Sequence, residues 1–520
     1  MRIVRYIIIN VFFISVFAFA QVDDTNVQMI SDFNSWGWDA YVLENGIITT
    51  ATVPDIGARV MQYDLGEHKS IYVNNSELGK TYTPNNNSGW HNFGGFKNWP
   101  APQSVWNWPP PPTLDYGKYE TQIISNTPDS VSIHVTSPLE KWDAPNIRFE
   151  RLLTVYKGSS RVKVDQTMVN EGSRKKNWSM WDITQCLVNH PGKKDYDNYW
   201  VYFTINPDSR YGDDGVRWDK NSDAWVGEVA PGIYGVQFKN EGKKIFADSH
   251  EGWICYVDEL DGYAYAKTFK LFDDVDYPDD GAHVEVWIDG DYLEVEVVSP
   301  VVELAANGGS YTFTEDWWAA KVNGPILGVN NVGAIASKMR MDDKGNLSAM
   351  YGVFYTGTAK VVYLDGNEVL GEGDTHQVTP LETFTLEEQL SVTPGTTRFE
   401  VRVYNHQGTL VGAIESAAYP LSTSVGQDMN RSPENYALLQ NYPNPFNPAT
   451  TIEFTLPVAE KVNLTVYDIT GKQVSVLVNE KLERGEHRYR FNASGLANGI
   501  YLYRLRAGDI ETRRKMLLVK

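Results

Sequence analysis

Acidic and aromatic side chains alternate with apolar ones along two neighbouring stretches of the chain, residues 282–288 and residues 291–297. The two residues between these stretches are Asp289 and Gly290. An Asp-Gly pair between alternating segments is the usual signal of a β-hairpin with a two-residue turn. The sequence therefore predicts a hairpin centred on Asp289 and Gly290.

The predicted hairpin gathers its polar side chains on one face, because side chains alternate between the two faces of a strand. Pairing outward from the turn places Glu285 opposite Glu294 and His283 opposite Glu296. Two facing carboxylates raise the pKa of one of them, and a nearby histidine adds another titratable group. The predicted polar face consists of His283, Glu285, Trp287, Tyr292, Glu294 and Glu296.

These residue types fit either acid/base chemistry or hydrogen bonding to sugar hydroxyls. If the protein is an enzyme, we expect Glu296 or Glu294 to act as the base and His283 as the acid or as an orienting group. Glu285 and Trp287 are then expected to contact the substrate, with the indole stacked on a sugar ring. An ordinary antiparallel sheet with one charged, solvated face has the same pattern. The hairpin alone leaves both interpretations open.

A glycine-rich segment at residues 88–100 carries a second group of candidate binding residues. Its lysine, Lys97, is a candidate partner for a carboxylate on an anionic sugar. A purely structural loop, in which tryptophans cover the end of a sandwich, is the alternative. The binding residues predicted outside the hairpin are Arg59, Trp90, His91, Lys97, Trp99 and Trp181.

The elements that must position these residues are predicted to be strands, since short alternating segments and Gly, Asn, Asp and Pro turns recur over residues 27–321. The pattern predicts an all-β fold with a large antiparallel β-sandwich over residues 21–325. Shorter strands over residues 326–420 predict an Ig-like or fibronectin-type sandwich. A polar linker over residues 421–440 and a small β-sandwich over residues 441–520 are predicted to follow.

The large predicted sandwich carries an ordered set of motifs. Two long alternating segments meet at a turn formed by Lys157 and Gly158, and Asn-Glu-Gly at 170–172 and Trp-Ser-Met-Trp-Asp-Ile-Thr-Gln at 178–185 follow. This order resembles the galactose-mutarotase-like superfamily. The stretch Gly-Gly-Phe-Lys-Asn-Trp-Pro-Ala-Pro at 94–102 is similar to the Gly-Gly-x-Lys-x-Trp-Pro-Ala-Pro motif of an uncharacterised bacterial family within that superfamily.

The resemblance implies a β-sandwich that holds a sugar on a concave sheet face. It implies no single activity, because the superfamily includes epimerases, hydrolase and lyase domains, and binding domains. Its aldose epimerases use a histidine acid and a glutamate base. The corresponding region here, residues 178–185, contains no histidine, so the resemblance does not extend to mutarotation.

The N-terminus has the organisation of a secretory signal peptide. Arg2 and Arg5 precede an apolar run over residues 7–19, and Ala-Phe-Ala at 18–20 has the small-x-small pattern of a cleavage site. The apolar run is too short for a comfortable membrane span. We therefore predict a signal peptide over residues 1–20 and no transmembrane segment in the mature chain.

The C-terminus contains a second set of targeting motifs. Its motifs are Tyr-Pro-Asn-Pro-Phe-Asn-Pro at 442–448, Tyr-Asp-Ile-Thr-Gly-Lys at 467–472 and Leu-Ala-Asn-Gly-Ile-Tyr at 496–501. They closely resemble the C-terminal sorting domain of the type IX secretion system of Bacteroidota and relatives. The resemblance implies handling by the type IX machinery, followed by release or attachment at the outer cell surface.

Composition narrows the possible partners. The formal net charge of −20, or −22 without the predicted signal peptide, repels phosphate backbones and argues against nucleic acid. The 16 tryptophans and 30 tyrosines favour sugar stacking, although most aromatic residues fill cores. The cysteines, Cys186 and Cys255, are compatible with one disulfide or with two buried thiols.

The sequence predicts no cofactor apart from a possible Ca²⁺ ion, and it contains no P-loop, dinucleotide fingerprint, zinc helix motif or Gly-x-Ser-x-Gly elbow. The acidic loop at 273–281 offers oxygen ligands that suit Ca²⁺, but a solvated turn has the same composition. We therefore expect a secreted or surface protein that acts on or binds extracellular glycans. A non-catalytic carbohydrate-binding protein and an adhesive surface protein are the alternatives.

Overall fold

The computed structural model describes residues 22–86, 89–188, 198–212, 215–218, 226–239, 241–342, 344–421, 436–438, 441, 446, 448–482, 484–508 and 510–519. The predicted signal peptide, residues 1–20, lies outside the described residues, as does most of the predicted linker at 421–440. None of the helices in the described part of the chain has both the length and the apolar character that crossing a membrane requires.

Antiparallel strands form almost all of the regular structure, so the prediction of an all-β chain is confirmed. We call residues 22–321 the large unit. Its strands are β1 (Asn26–Ile30), β2 (Ala40–Glu44), β3 (Ile48–Val53), β4 (Arg59–Leu65), β5 (His68–Lys69), β6 (Phe96–Ala101), β7 (Glu120–Asn126), β8 (Ser130–Thr136), β9 (Ile147–Tyr156), β10 (Val162–Asn170), β11 (Lys176–Leu187), β12 (Tyr199–Thr204), β13 (Val216–Arg217), β14 (Val226–Ala230), β15 (Ile233–Gln237), β16 (Lys243–Ala247), β17 (Trp253–Asp258), β18 (Tyr263–Phe269), β19 (Val284–Ile288), β20 (Tyr292–Val298), β21 (Val302–Leu304) and β22 (Gly309–Lys321).

Two sheets of the large unit pack face to face. The first has the order β1-β2-β3-β4-β6-β11-β20-β19-β16-β13, with β5 on β4 and β21 on β11. The second has the order β14-β15-β12-β17-β18-β22-β10-β9-β8-β7. Helical structure is confined to one α-helix, α1 (Pro112–Tyr116), and to 3-10 turns at Phe33–Ser35, Pro54–Ile56, Asn75–Glu77 and Gln103–Val105 among the described residues.

Alternating burial explains why these segments are strands. Along β9 every second residue is buried, which matches one face on the core and one face towards solvent. Along β11 and β20 nearly every residue is buried, because both strands lie in the middle of the first sheet. The side chains between the two sheets form one continuous hydrophobic core.

A buried polar network interrupts that core beneath the centre of the first sheet. Asp182 on β11 accepts hydrogen bonds from Lys267, from the Val297 amide (3.2 Å) and from Gln166 (3.4 Å). Burial and the charge of Asp182 raise the pKa of Glu315 well above its ordinary range. Paired charges and shared hydrogen bonds are what make such burial tolerable.

The middle unit, residues 328–418, packs directly on the outer face of the second sheet. Trp318 stacks on Phe354 with ring centroids 5.0 Å apart, and the Ser160 amide donates to the Phe354 carbonyl at 3.0 Å. The middle unit therefore shares a hydrophobic cluster with the large unit. Its strands are β23 (Gly328–Val329), β24 (Gly333–Met341), β25 (Asn346–Val353), β26 (Gly357–Asp365), β27 (Glu368–Glu372), β28 (His376–Val378), β29 (Thr383–Gln389), β30 (Arg398–Asn405) and β31 (Leu410–Ala418).

The C-terminal unit, residues 437–518, has a core of its own, and in the described part of the chain the buried side chains of this core all belong to residues 438–518. A sheet of order β32-β33-β36 and a sheet of order β35-β34-β37-β38 enclose that core. The strands are β32 (Ala437–Leu438), β33 (Ala449–Leu456), β34 (Glu460–Asp468), β35 (Gln473–Leu482), β36 (Gly485–Asn492), β37 (Gly499–Ala507) and β38 (Ile510–Leu518).

The hairpin of β19 and β20 exists, but its predicted register is wrong by two residues. The Asp289 amide donates to the Tyr292 carbonyl at 3.0 Å, so the central turn residues are Gly290 and Asp291. Neither Asp289 nor Gly290 has a positive φ, whereas an Asp-Gly turn of the favoured hairpin type needs positive φ at both positions. The turn that forms instead moves every cross-strand partner by two residues.

The corrected register changes the partners of the glutamates and leaves their face unchanged. Glu285 lies opposite Glu296, and Trp287 lies opposite Glu294. The predicted pairs of Glu285 with Glu294 and of His283 with Glu296 do not form. Because the shift is an even number of residues, all three glutamates still share one face of the sheet.

Candidate functional site

Five neighbouring strands of the first sheet align polar and aromatic side chains on its face away from the core. Cross-strand partners share a face, so the registers define two rows. One row contains Lys97 (β6), Ile183 (β11), Glu296 (β20), Glu285 (β19) and Phe246 (β16). The other row contains Gln185 (β11), Glu294 (β20), Trp287 (β19) and Lys244 (β16).

We call the charged residues of these rows the glutamate cluster: Lys97, Lys244, Glu285, Glu294 and Glu296. In its first half, Lys244 Nζ lies 2.6 Å from both carboxylate oxygens of Glu296 and 2.8 Å from Glu285 Oε2. Both carboxylates are buried, whereas 21% of the Lys244 side chain is exposed. Lys244 therefore lies between solvent and the buried carboxyl pair of Glu285 and Glu296.

Burial and charge set the protonation of this half of the cluster. Burial raises the pKa of Glu285 to about 8, despite the opposing effect of Lys244. Burial also raises the pKa of Glu296. Burial by itself lowers the pKa of Lys244, but the charges of Glu285, once it ionises, and of Glu296 raise it above its ordinary range. At pH 7 we therefore expect a neutral Glu285 beside a charged Lys244.

The second half of the cluster is centred on Glu294. Its Oε1 accepts from Lys97 Nζ at 3.0 Å and from Gln185 Nε2 at 2.9 Å. Burial lowers the pKa of Lys97, and the attraction of Glu294 acts in the opposite direction. This half offers a fixed ammonium, a carboxylate and an amide side by side.

Two tryptophans frame the cluster. Trp181 Nε1 donates to Glu296 Oε2 at 2.5 Å, and the Lys244 ammonium lies 4.8 Å from the Trp181 ring centroid. The Lys97 ammonium lies 5.1 Å from the Trp99 ring. The two rings meet edge to face with centroids 5.4 Å apart. Lys97, Trp99, Trp181 and the glutamates are therefore brought together around one place.

Arg59 supports Trp99 indirectly, through Asp115. Its guanidinium is fully buried and donates to Asp115 Oδ1 at 2.6 Å and to the Gly94 carbonyl at 3.0 Å. Trp99 Nε1 donates to the same Asp115 oxygen at 2.8 Å. Arg59 therefore positions Trp99 through Asp115, and its two terminal nitrogens are already occupied by protein acceptors.

The remaining predicted residues lie at the rim or apart from the cluster. Trp90 packs edge-on against Trp108. His91 stacks on Tyr82 with centroids 3.5 Å apart. Trp287 is half-buried on the same face as the glutamates.

His283 points away from the glutamates. Its Nδ1 lies 3.0 Å from the Ser249 carbonyl oxygen, and its ring packs on Tyr277. Burial lowers the pKa of His283, so we expect a neutral ring at pH 7. Among the described residues, none of its contacts joins it to the glutamate cluster.

Sequence reasoning missed three residues of the site: Lys244, Gln185 and Asp115. The alternation of Lys243-Lys-Ile-Phe-Ala247 signals a strand, but its neighbour β19 follows about forty residues later in the chain. In the sequence, Gln185 is only the last residue of the motif at 178–185. Nothing local marks Asp115, which lies in a short helix that follows a run of prolines.

The described residues contain one group of metal-binding side chains whose donor atoms lie within 4.8 Å of one another: His68, Asp258 and Asp261. The two ring nitrogens of His68 face different carboxylates: Nε2 lies 3.9 Å from Asp258 Oδ2, and Nδ1 lies 3.6 Å from Asp261 Oδ2. The acidic loop at 273–281 forms no such group among these residues. Cys186 and Cys255 are separate, buried free thiols.

Solved structures similar to this chain include galactose mutarotase-like proteins from Clostridium acetobutylicum (12% identity, 58% of this chain and 99% of that one, TM-score 0.35) and Lactobacillus casei (10% identity, 54% and 99%, TM-score 0.35). A galactose mutarotase related enzyme from Lactobacillus acidophilus is 8% identical over 55% of this chain and 100% of that one, with a TM-score of 0.35. These distant likenesses carry no argument about activity. No curated protein matches the chain.

The predicted resemblance of the C-terminus to a sorting domain is supported by a family match. Residues 440–520 match the family described as the secretion system C-terminal sorting domain, so the prediction for this part of the chain is confirmed. The match covers the C-terminal unit from residue 440 onwards and does not extend to the glutamate cluster. Residues 440–520 are therefore a C-terminal sorting domain, which points to type IX secretion and to a secreted or cell-surface protein.

Proposed function

We propose that the protein binds extracellular glycans on the outer face of the first sheet, at the glutamate cluster. The observation that carries this proposal is the pairing of buried, fixed charges with indole rings at one place: Glu294 with Lys97 beside Trp99, and Glu296 with Lys244 beside Trp181. The C-terminal sorting domain supports a ligand met outside the cell.

The chemistry of a sugar suits these groups. Its hydroxyls donate to carboxylates and accept from ammonium and amide groups, so Glu294, Lys97 and Gln185 offer complementary partners. The C–H face of a pyranose packs against an aromatic face, as Trp287 offers from its half-buried position. A few fixed polar groups among aromatic walls are characteristic of small-molecule sites.

A second candidate function, acid/base chemistry on the bound sugar, rests on Glu285. Its Oε1 is buried and has no hydrogen-bond partner among the residues that the structure describes, and its raised pKa keeps a proton available at neutral pH. Glu285 is thus better placed to act as the acid than His283, which is turned towards Ser249. Glu296, directly opposite, or Glu294 then serves as the base.

Binding without catalysis is favoured by a different observation. Glu294 and Glu296 are already held by lysine, amide or indole donors. A carboxylate held in this way is well suited to fixed recognition and less suited to proton transfer. An adhesive surface protein, in which the same face contacts no sugar, is the remaining alternative.

A glycan array probed with the full-length exported protein tests the proposal, followed by calorimetry on the best ligand. Glu294→Gln and Glu296→Gln are each expected to weaken binding at least about tenfold, because each removes a charge-assisted hydrogen bond. Glu303→Gln, an exposed glutamate paired with Lys175, is the matched control and should bind normally. Unchanged affinity in both site variants, or no bound glycan, contradicts the proposal.

Catalysis is tested on the same glycan. New reducing ends, or the ultraviolet absorbance of unsaturated products, are expected with the wild type and not with Glu285→Gln. Binding with no product identifies a non-catalytic protein. We further propose that the predicted signal peptide at 1–20 is removed on export, and the mass of the mature N-terminus measures that step.

A further inference from the structure

Trp108 is the one exposed tryptophan in the described part of the chain. This residue is 53% accessible to solvent, whereas the other described tryptophans are buried or half-buried. A large exposed indole is an unusual use of a residue that normally fills cores. Its location at the rim of the glutamate cluster suggests a binding role.

The loop around Trp108 is anchored, so the indole is held in place. Trp106, two residues earlier, is buried and donates from Nε1 to the Pro100 carbonyl at 2.7 Å. The Asn107 amide donates to the Gln103 carbonyl at 2.7 Å. Four prolines at 109–112 follow, and each fixes its own φ. An indole held in this way loses little conformational freedom when a ligand covers it.

A continuous series of ring contacts joins Trp108 to the glutamate cluster. Trp108 meets Trp99 edge to face with centroids 6.0 Å apart. Trp99 meets Trp181 in the same way at 5.4 Å, and Trp181 donates to Glu296. On its other side Trp108 contacts Trp90 at 5.2 Å. Aromatic rings thus extend from the buried charges to the solvent-exposed edge of the site.

We propose that the ligand is a glycan chain of several units, with one unit at the glutamate cluster and another stacked on Trp108. This inference rests on the proposed function and adds the ligand's length to it. A single sugar held at the glutamate cluster leaves Trp108 exposed to water. A longer chain covers the indole and gains the burial of its apolar surface.

The test is calorimetry of the full-length protein with the monosaccharide and with oligomers of two to six units of the sugar selected by the glycan array. We expect wild-type affinity to rise at least about tenfold with chain length. Trp108→Ala should lose that gain and keep wild-type affinity for the shortest ligand that binds. Val105→Ala, at an apolar residue of the same loop that is 58% exposed, should keep the full gain.

The outcomes separate this inference from the proposed function. Equal affinity of Trp108→Ala and wild type for every chain length overturns the role of Trp108 and leaves glycan binding in place. Affinity that does not change with length overturns the inference as well. Absence of binding to saccharides of any length overturns both. Matched circular dichroism spectra and unfolding temperatures confirm that each variant is folded.

Discussion

Glutamine at position 285 should make the protein more stable above neutral pH. In the folded protein the pKa of Glu285 is raised to about 8 by burial, against an ordinary value of 4.5. Between these two pH values the folded chain holds a proton that the unfolded chain has released. Stability is therefore fully present below pH 4.5 and is lost as the pH rises through 8. The difference in pKa corresponds to about 5 kcal/mol at most.

Glu285→Gln mimics the protonated acid in shape and charge, and Lys244 keeps its ion pair with Glu296. The variant and the wild type should therefore have similar stability at pH 4.5, and the variant should become more stable by a few kcal/mol at pH 9. Urea unfolding followed by tryptophan fluorescence, at several pH values in this range, measures the difference. Glu303→Gln, at an exposed position, should show no such trend.

A difference between Glu285→Gln and wild type that stays constant from pH 5 to pH 9 would refute this reasoning. It would mean that Glu285 has the same pKa in the folded and the unfolded chain. The acid role proposed for Glu285 would then lose its basis. The glycan-binding proposal would remain, because it depends on Glu294 and Glu296.

Three further predictions concern the framework of the site. Lys97→Met should lower the free energy of unfolding by about 3 kcal/mol, because it leaves the buried Glu294 carboxylate without its cation, and urea unfolding measures the loss. Trp318→Ala should cost about 3–5 kcal/mol, because Trp318 fills the contact with Phe354; an unfolding temperature equal to that of the wild type would contradict the shared core. Deletion of residues 436–520 should leave the remaining chain folded, because the C-terminal unit has a separate core, and should lower its unfolding temperature slightly, because the charge of Arg514 that attracts the buried Glu259 is lost; calorimetry of the shortened chain tests this.

The sequence was most informative where one periodicity decides the structure. Alternation placed Glu285, Glu294 and Glu296 on one face of a hairpin, and the structure agrees. The register of the hairpin depends on the position of its turn, and the Asp289-Gly290 pair is compatible with more than one turn position. Moving the turn by one residue shifts every cross-strand partner by two residues. The three glutamates therefore share one face of the sheet even though their predicted pairs were wrong.

Contacts between distant parts of the chain could not be predicted from local pattern. Lys97 and Glu294 are 197 residues apart, and they meet only because β11 lies between β6 and β20. The position of Lys244 likewise depends on β16 lying beside β19. Strand order is a property of the whole sheet, whereas alternation is a property of a few residues.

The burial of β11 on both faces limits how the site can change during evolution. Nine consecutive residues, 178–186, are buried, with Trp181 on the outer face and Asp182 in the interior network. A substitution in this strand alters the site, the core or both. New ligand preferences are therefore expected to arise in the rim loop around Trp108, where a side chain can change without disturbing the sheet, and directed evolution should begin there.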